Sequence, residues 1–140
     1  METLYTAIAH ATGGGRDGHV RSDNDRLDLE TRPPKEIGGS GEGTNPEELF
    51  AAGYAACFLG ALHAAGKQVG VDTKDASVSA SVRLNNDPDD GFTIAVDLDV
   101  YAPNASADDT RKAANIAHED ICPYSKATRG NVAVGISIVS

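Results

Sequence analysis

Cys57 and Cys122 offer the most chemistry in this 140-residue chain. A thiolate is a strong nucleophile; a thiol is not. Free cysteine titrates near pH 8.5, so a reactive one at neutral pH needs a neighbouring cation. By local sequence the best candidate is Arg16, in ATGGGRDGHV, where Gly13, Gly14, Gly15 and Gly18 let the backbone carry a guanidinium close to another surface. Blander assignments fit the same residues: thiols that pack as small hydrophobes, and an arginine in a solvated turn. Taken one at a time, these stretches leave both possibilities open.

Other chemistries find less support. Gly13, Gly15 and Gly18 match G-x-G-x-x-G, but no helix follows and the strand-helix-strand context of dinucleotide binding is missing. His118 and Cys122 stand four apart, as zinc ligands on a helix do, without a third or fourth ligand nearby in sequence. A Cys/His nucleophile pair lacks any legible oxyanion hole. Neither a bound metal nor a bound cofactor is expected.

The elements that must hold these residues are set by pattern. GTNPEELFAAGYAACFLGALHAAGK predicts a helix over roughly 46 to 66: Asn45 caps it, Pro46 suits its first position, Glu47 and Glu48 complement its dipole, and Gly66 ends it. Beyond the first turn it is apolar almost all round, the mark of a helix buried on every side. The stretch between Glu48 and Lys67 falls short of the ~20 residues a bilayer needs and contains His63, so a second chain is expected to cover it. Gly53 and Gly60, four before and three after Cys57, flank the thiol on one face and give it room. A second helix is expected from the cap Ser106 to a stop before Pro123.

Strands account for the remainder. Val78, Ala80, Val82 and Leu84 alternate with polar residues; after the turn NNDPDDG, so do Ile94, Val96, Leu98 and Val100. Val132, Val134, Ile136 and Ile138 repeat the pattern, and residues 3 to 11 and RLDLE suggest weaker strands. The order is α+β with mainly antiparallel pairing.

Composition narrows the partners. Twelve basic against twenty-one acidic residues give a net charge of −9 and a pI near 4.7, which repels phosphate backbones and anionic lipid; neither nucleic acid nor membrane partners are expected. METLYTAIAHATGGG has no secretory pattern, so a cytoplasmic protein is expected, in a compartment that disfavours permanent disulfides. Its length suits one domain, residues 1–140.

Together, GTNPEELFAAGYAACF, CPYSKATRGN and ATGGGRDG closely resemble the organic hydroperoxide resistance proteins, thiol peroxidases of the OsmC-like superfamily. The resemblance spans essentially the whole chain, with GGGR where the family usually has GGR and Glu48 where glutamine is common. It implies an α+β fold with mainly antiparallel sheets around a buried central helix, in an intertwined homodimer with active sites at the interface. Carried over by motif, Cys57 is the peroxidatic cysteine, Cys122 the resolving one, Arg16 the stabiliser of the thiolate and Glu47 the carboxylate orienting Arg16.

Helix angles agree with that choice of carboxylate. Glu48 points about 180° and Glu47 about 80° away from Cys57. Ten residues of straight helix, about 15 Å, separate Glu47 from its own Cys57, which favours a network shared with the partner chain.

The implied cycle reduces organic or fatty-acid hydroperoxides to alcohols through a sulfenic acid and a Cys57–Cys122 disulfide. An external dithiol, dihydrolipoamide on a lipoylated protein, reopens it. The alternatives are the osmotically induced peroxidase branch of the superfamily and a non-catalytic binder of apolar ligands.

Overall fold

Three short extended runs near the N-terminus pair into an antiparallel sheet in the order β1 (Ala9–Gly13), β2 (Gly18–Ser22), β3 (Asp28–Thr31). The computed structural model describes all 140 residues as two compact units, Met1–Leu49 and Phe50–Ser140. In the first, Thr31 alone is buried, and polar bonds do most of the holding. The strand expected over residues 3 to 11 begins only at Ala9, and RLDLE contributes from Asp28 onward. β2, GHVRS, gave no period-2 signal because one apolar residue among polar ones has nothing to alternate with.

α1 (Pro46–Val69) starts where its caps place it: the Glu48 amide donates to Asn45 Oδ1 at 2.8 Å. It runs three residues past Gly66, which lies inside the helix, packed against Val71 and Thr73; Gly70, at φ 71°, ends it. At 24 residues it is long and apolar enough to cross a bilayer, so the length argument does not hold. Its packing identifies a core helix instead. Tyr54, Phe58, Leu62 and Ala65 join the main hydrophobic cluster, and His63 bonds to Thr73 Oγ1 at 2.7 Å. Within one chain it is not buried on every side, since Ala52, Ala56 and Gly60 are exposed.

The second sheet has the order β4 (Ser77–Asp87), β5 (Gly91–Tyr101), β6 (Val134–Val139). β4 and β5 form the expected hairpin, with Val78 opposite Val100 and Val82 opposite Val96. Val96, Leu98 and Val100 are buried, while Ser77, Ser79 and Ser81 face water. β6 joins parallel to β5, which period-2 alternation cannot reveal because it fixes a face and not a direction.

α2 (Ala107–Ile116) is capped by Ser106, whose Oγ accepts from the Asp109 amide at 3.1 Å. As expected, the helical run stops before Pro123, with Cys122 extended. The chain widens into a π turn, Ala117–Ile121, and then starts a new helix, α3 (Pro123–Thr128). Proline fits a first helical position because its missing N–H would have no partner there. Pro123 therefore follows the end of one helix and starts another.

Candidate functional site

The break between α2 and α3 sets the position of Cys122. In the π turn the Cys122 amide donates to Ala117 O at 2.8 Å, five residues back. Cys122 is then the cap of α3, and its Sγ accepts from the Ser125 amide at 3.5 Å. The buried sulfur lies 3.4 Å from Cys57 Sγ, and both cysteines are free thiols. Closing that gap to a disulfide of about 2.05 Å asks for little more than side-chain rotation.

Cys57 is half-buried on α1 and accepts a hydrogen bond from the Tyr124 amide. Burial pushes its thiol pKa up, the Tyr124 amide offsets part of that rise, and the adjacent Cys122 pushes it up further. Of the two flanking glycines, Gly53 is the one with a neighbour. A Cβ there would stand 3.0 Å from Tyr124 Oη and 3.2 Å from Cε2, so glycine lets the ring lie against the helix. A Cβ at Gly60 would meet open space. Two thiols thus share the first amides of α3, Tyr124 serving Cys57 and Ser125 serving Cys122.

A polar network stands behind Cys122. Ser125 is fully buried, with its Oγ 2.7 Å from His118 Nδ1 and 2.8 Å from Tyr54 Oη; Thr128 Oγ1 donates to Ser125 O at 3.1 Å. Burial, and then the charge of Arg129, hold the His118 imidazole below its ordinary pKa, while Glu119 opposes them. A neutral ring protonated on Nε2 accepts the Ser125 hydroxyl proton and leaves Ser125 Oγ free to accept from Tyr54. Arg129 Nη2 donates to the carbonyls of His118 (2.6 Å) and Glu119 (3.0 Å), which fastens the π turn. His118 is engaged with serine, and no group of three or more His, Cys, Asp or Glu side chains gathers to hold a metal.

Arg16 and Glu47, 31 residues apart, meet in the first unit. Arg16 Nη1 and Nη2 donate to Glu47 Oε1 and Oε2 at 2.8 and 3.1 Å, a bidentate pair that raises the arginine pKa further. Thr31 Oγ1 builds the loop by donating to Gly15 O at 2.6 Å and accepting from the Gly18 amide at 2.9 Å. Gly18 is required because a Cβ would collide with the Thr12 carbonyl. Glu47 is delivered by the bridge between Thr31 and Thr44, which ties the start of α1 to β3. Glu48 instead accepts from Thr44 Oγ1 at 3.0 Å.

Tyr124, Ser125 and the structural use of His118 escaped sequence reasoning. The available signal was Pro123 at a helix start, which would have made Tyr124 and Ser125 free first-turn amides.

Known proteins resemble this chain over most of its length. The family model described as OsmC-like protein matches residues 39–137. The organic hydroperoxide resistance protein of Xanthomonas axonopodis pv. citri is 43% identical over 139 residues, covering 98% of this chain and 96% of that one. Organic hydroperoxide resistance protein OhrB of Bacillus subtilis is 44% identical over 136 residues, covering 96% and 98%. Among solved structures, an organic hydroperoxide resistance protein OsmC from Legionella pneumophila superposes with a TM-score of 0.92 at 41% identity, covering 99% of this chain and all of that one. The chain belongs to the OsmC-like family and, within it, to the organic hydroperoxide resistance proteins.

Proposed function

We propose that this protein is a thiol-dependent peroxidase that reduces organic hydroperoxides to alcohols. The observation that carries the proposal is the 3.4 Å separation of two free sulfurs from residues 65 apart. The Cys57 thiolate attacks the terminal peroxide oxygen, an S–O bond forms as O–O breaks, and the alkoxide leaves to take up a proton as the alcohol. The sulfenic acid then condenses with the Cys122 thiol, forming S–S and releasing water. Arg16, oriented by Glu47, supplies the cation that offsets burial of Cys57. With Glu47 ten positions before Cys57 on α1, about 15 Å along the helix, the pair serves the thiols of a second copy.

That second copy makes a homodimer, in which residues 1–140 act as one domain. Exposed Leu4 and Tyr5, and the bare Ala52, Ala56 and Gly60 face of α1, support it. An external dithiol, lipoyl on a protein carrier, returns the disulfide to thiols, and the cycle runs in the cytoplasm. Tyr54 and Phe58 are fully buried in the core, while the Tyr124 ring lies against α1 at Gly53, one turn before Cys57, and with Phe50, 6.3 Å from it, offers an apolar surface. It favours peroxides with a hydrocarbon tail, each buried methylene adding about 0.8 kcal/mol.

Intact mass after one equivalent of cumene hydroperoxide tests the chemistry. The expected product has lost both thiols and gained no oxygen. A chain that keeps both thiols is a binder, not a peroxidase. Turnover with lipoamide and its reductase should exceed that with thioredoxin, and turnover with thioredoxin alone would remove the lipoyl assignment. A folded monomer at low micromolar concentration would remove the dimer and the shared site.

A further inference from the structure

Ser125 and His118 sit behind the second thiol rather than beside the first. The Ser125 amide donates to Cys122 Sγ at 3.5 Å, while its hydroxyl is held between His118 Nδ1 at 2.7 Å and Tyr54 Oη at 2.8 Å. No buried side-chain nitrogen or oxygen lacks a partner, so the network is complete as built. Its geometry runs in one direction. The imidazole fixes the hydroxyl, the hydroxyl and Tyr54 fix residue 125, and the 125 amide fixes the rotamer of Cys122.

We propose that His118 and Ser125 are positioning residues for the second step, holding the Cys122 sulfur against Cys57 so that disulfide formation outruns a second oxidation. This rests on the peroxidase function proposed above. Once formed, the Cys57 sulfenic acid has two fates. It can condense with the Cys122 thiol, whose proton leaves with the hydroxyl as water, or it can take an oxygen from a second hydroperoxide, giving the sulfinic acid and another alcohol. The first is intramolecular, and its rate depends on how often Cys122 points at Cys57. A cysteine free to sample three staggered rotamers would present its sulfur part of the time, whereas one held by an amide presents it continuously. Burial and then the charge of Arg129, against the opposing pull of Glu119, keep the imidazole the acceptor this arrangement requires.

The test is the ratio of sulfinic acid to disulfide, read by mass spectrometry, as the full-length protein meets rising cumene hydroperoxide. Ser125→Ala and His118→Ala should reach half over-oxidation at about tenfold less peroxide than the wild type. His118→Asn places an amide oxygen near the position of Nδ1 and should stay within about twofold of the wild type. Loss of the first thiol in the fast phase should change far less than that ratio. Wild-type partition in both alanine variants would overturn the proposal, and so would His118→Asn behaving like His118→Ala, which would leave only a packing role. If the wild type forms no Cys57–Cys122 disulfide, the peroxidase function falls and takes this proposal with it; a wild-type disulfide with unchanged ratios in the variants sinks this proposal alone.

Discussion

Residues Met1–Leu49 and Phe50–Ser140 solve the same problem, holding two distant residues together, by opposite means. In the first unit Arg16 and Glu47 meet through a chain of hydrogen bonds and tight turns, with only Thr31 buried and nearly all of the chain's ion pairs present. In the second, Cys57 and Cys122 meet because α1 and the α2–α3 break belong to one apolar cluster. The difference teaches where each pair is vulnerable. A charged pair at the surface keeps its charge in water, whereas a pair of thiols, one buried and one half-buried, is held by close packing.

The largest expected effects separate the two thiols. Cys57→Ser should abolish peroxide consumption, while Cys122→Ser should react once and proceed to sulfinic acid. Equal loss of the first fast step in both would break the assignment. Stability comes next. Leu62→Ala empties a fully buried position and should cost about 2 to 5 kcal/mol in urea unfolding, whereas Arg21→Ala, losing an exposed pair with Asp25, should stay within about 0.5 kcal/mol. Similar costs would erase the contrast between packed and polar units.

Arg16→Lys tests the charged pair more gently. A lysine keeps the charge and loses the two-pronged grip on Glu47, so the rate constant for peroxide should fall about tenfold with little change in stability. An unchanged rate, with an unchanged Cys57 pKa by alkylation, would return Arg16 to a solvated turn.

The smallest effects concern two histidines with opposite signs. His19 lies exposed between carboxylates, and Glu30 and then Asp28 raise it above the ordinary 6.5. Any stability it contributes is fully present below that pH and is lost as pH rises through its higher folded value. His118 is depressed by burial and then by Arg129. Its neutral form stabilises the fold above pH 6.5, and that contribution is lost as pH falls through its lower folded value. Proton NMR titration should therefore find the two imidazoles on either side of 6.5, and the reverse order would contradict both environments.

Local features were legible in the sequence. The cap of α1 and the β4–β5 hairpin depend on residues a few positions apart, and their signals survive without a partner. Features decided by distant neighbours were not. β2 exists because β1 and β3 flank it, β6 takes its direction from β5, and α1, apolar nearly all round, leaves Ala52, Ala56 and Gly60 exposed within one chain. At the site, motif resemblance pointed to Cys57, Cys122, Arg16 and Glu47, but the network behind Cys122 was hidden. His118 looked like half of a metal pair, because spacing along a helix cannot foresee that a π turn hands its imidazole to Ser125.

The π turn at Ala117–Ile121 also makes the spacing of this segment an inherited quantity. A widened turn accommodates one more residue than an α turn would, and each residue of helix rotates the chain beyond it by about 100°. Deleting one residue between Ile116 and Cys122 would let the turn relax to α geometry with little net rotation beyond it, whereas inserting one more would swing the Cys122 thiol by about 100° off the face it shares with Cys57. Substitutions at exposed Glu119 and Asp120 can be absorbed, whereas Ala117 is fully buried and His118 holds the Ser125 hydroxyl. Over evolutionary time the segment should therefore vary at Glu119 and Asp120, keep Ala117 and His118, and exclude insertions.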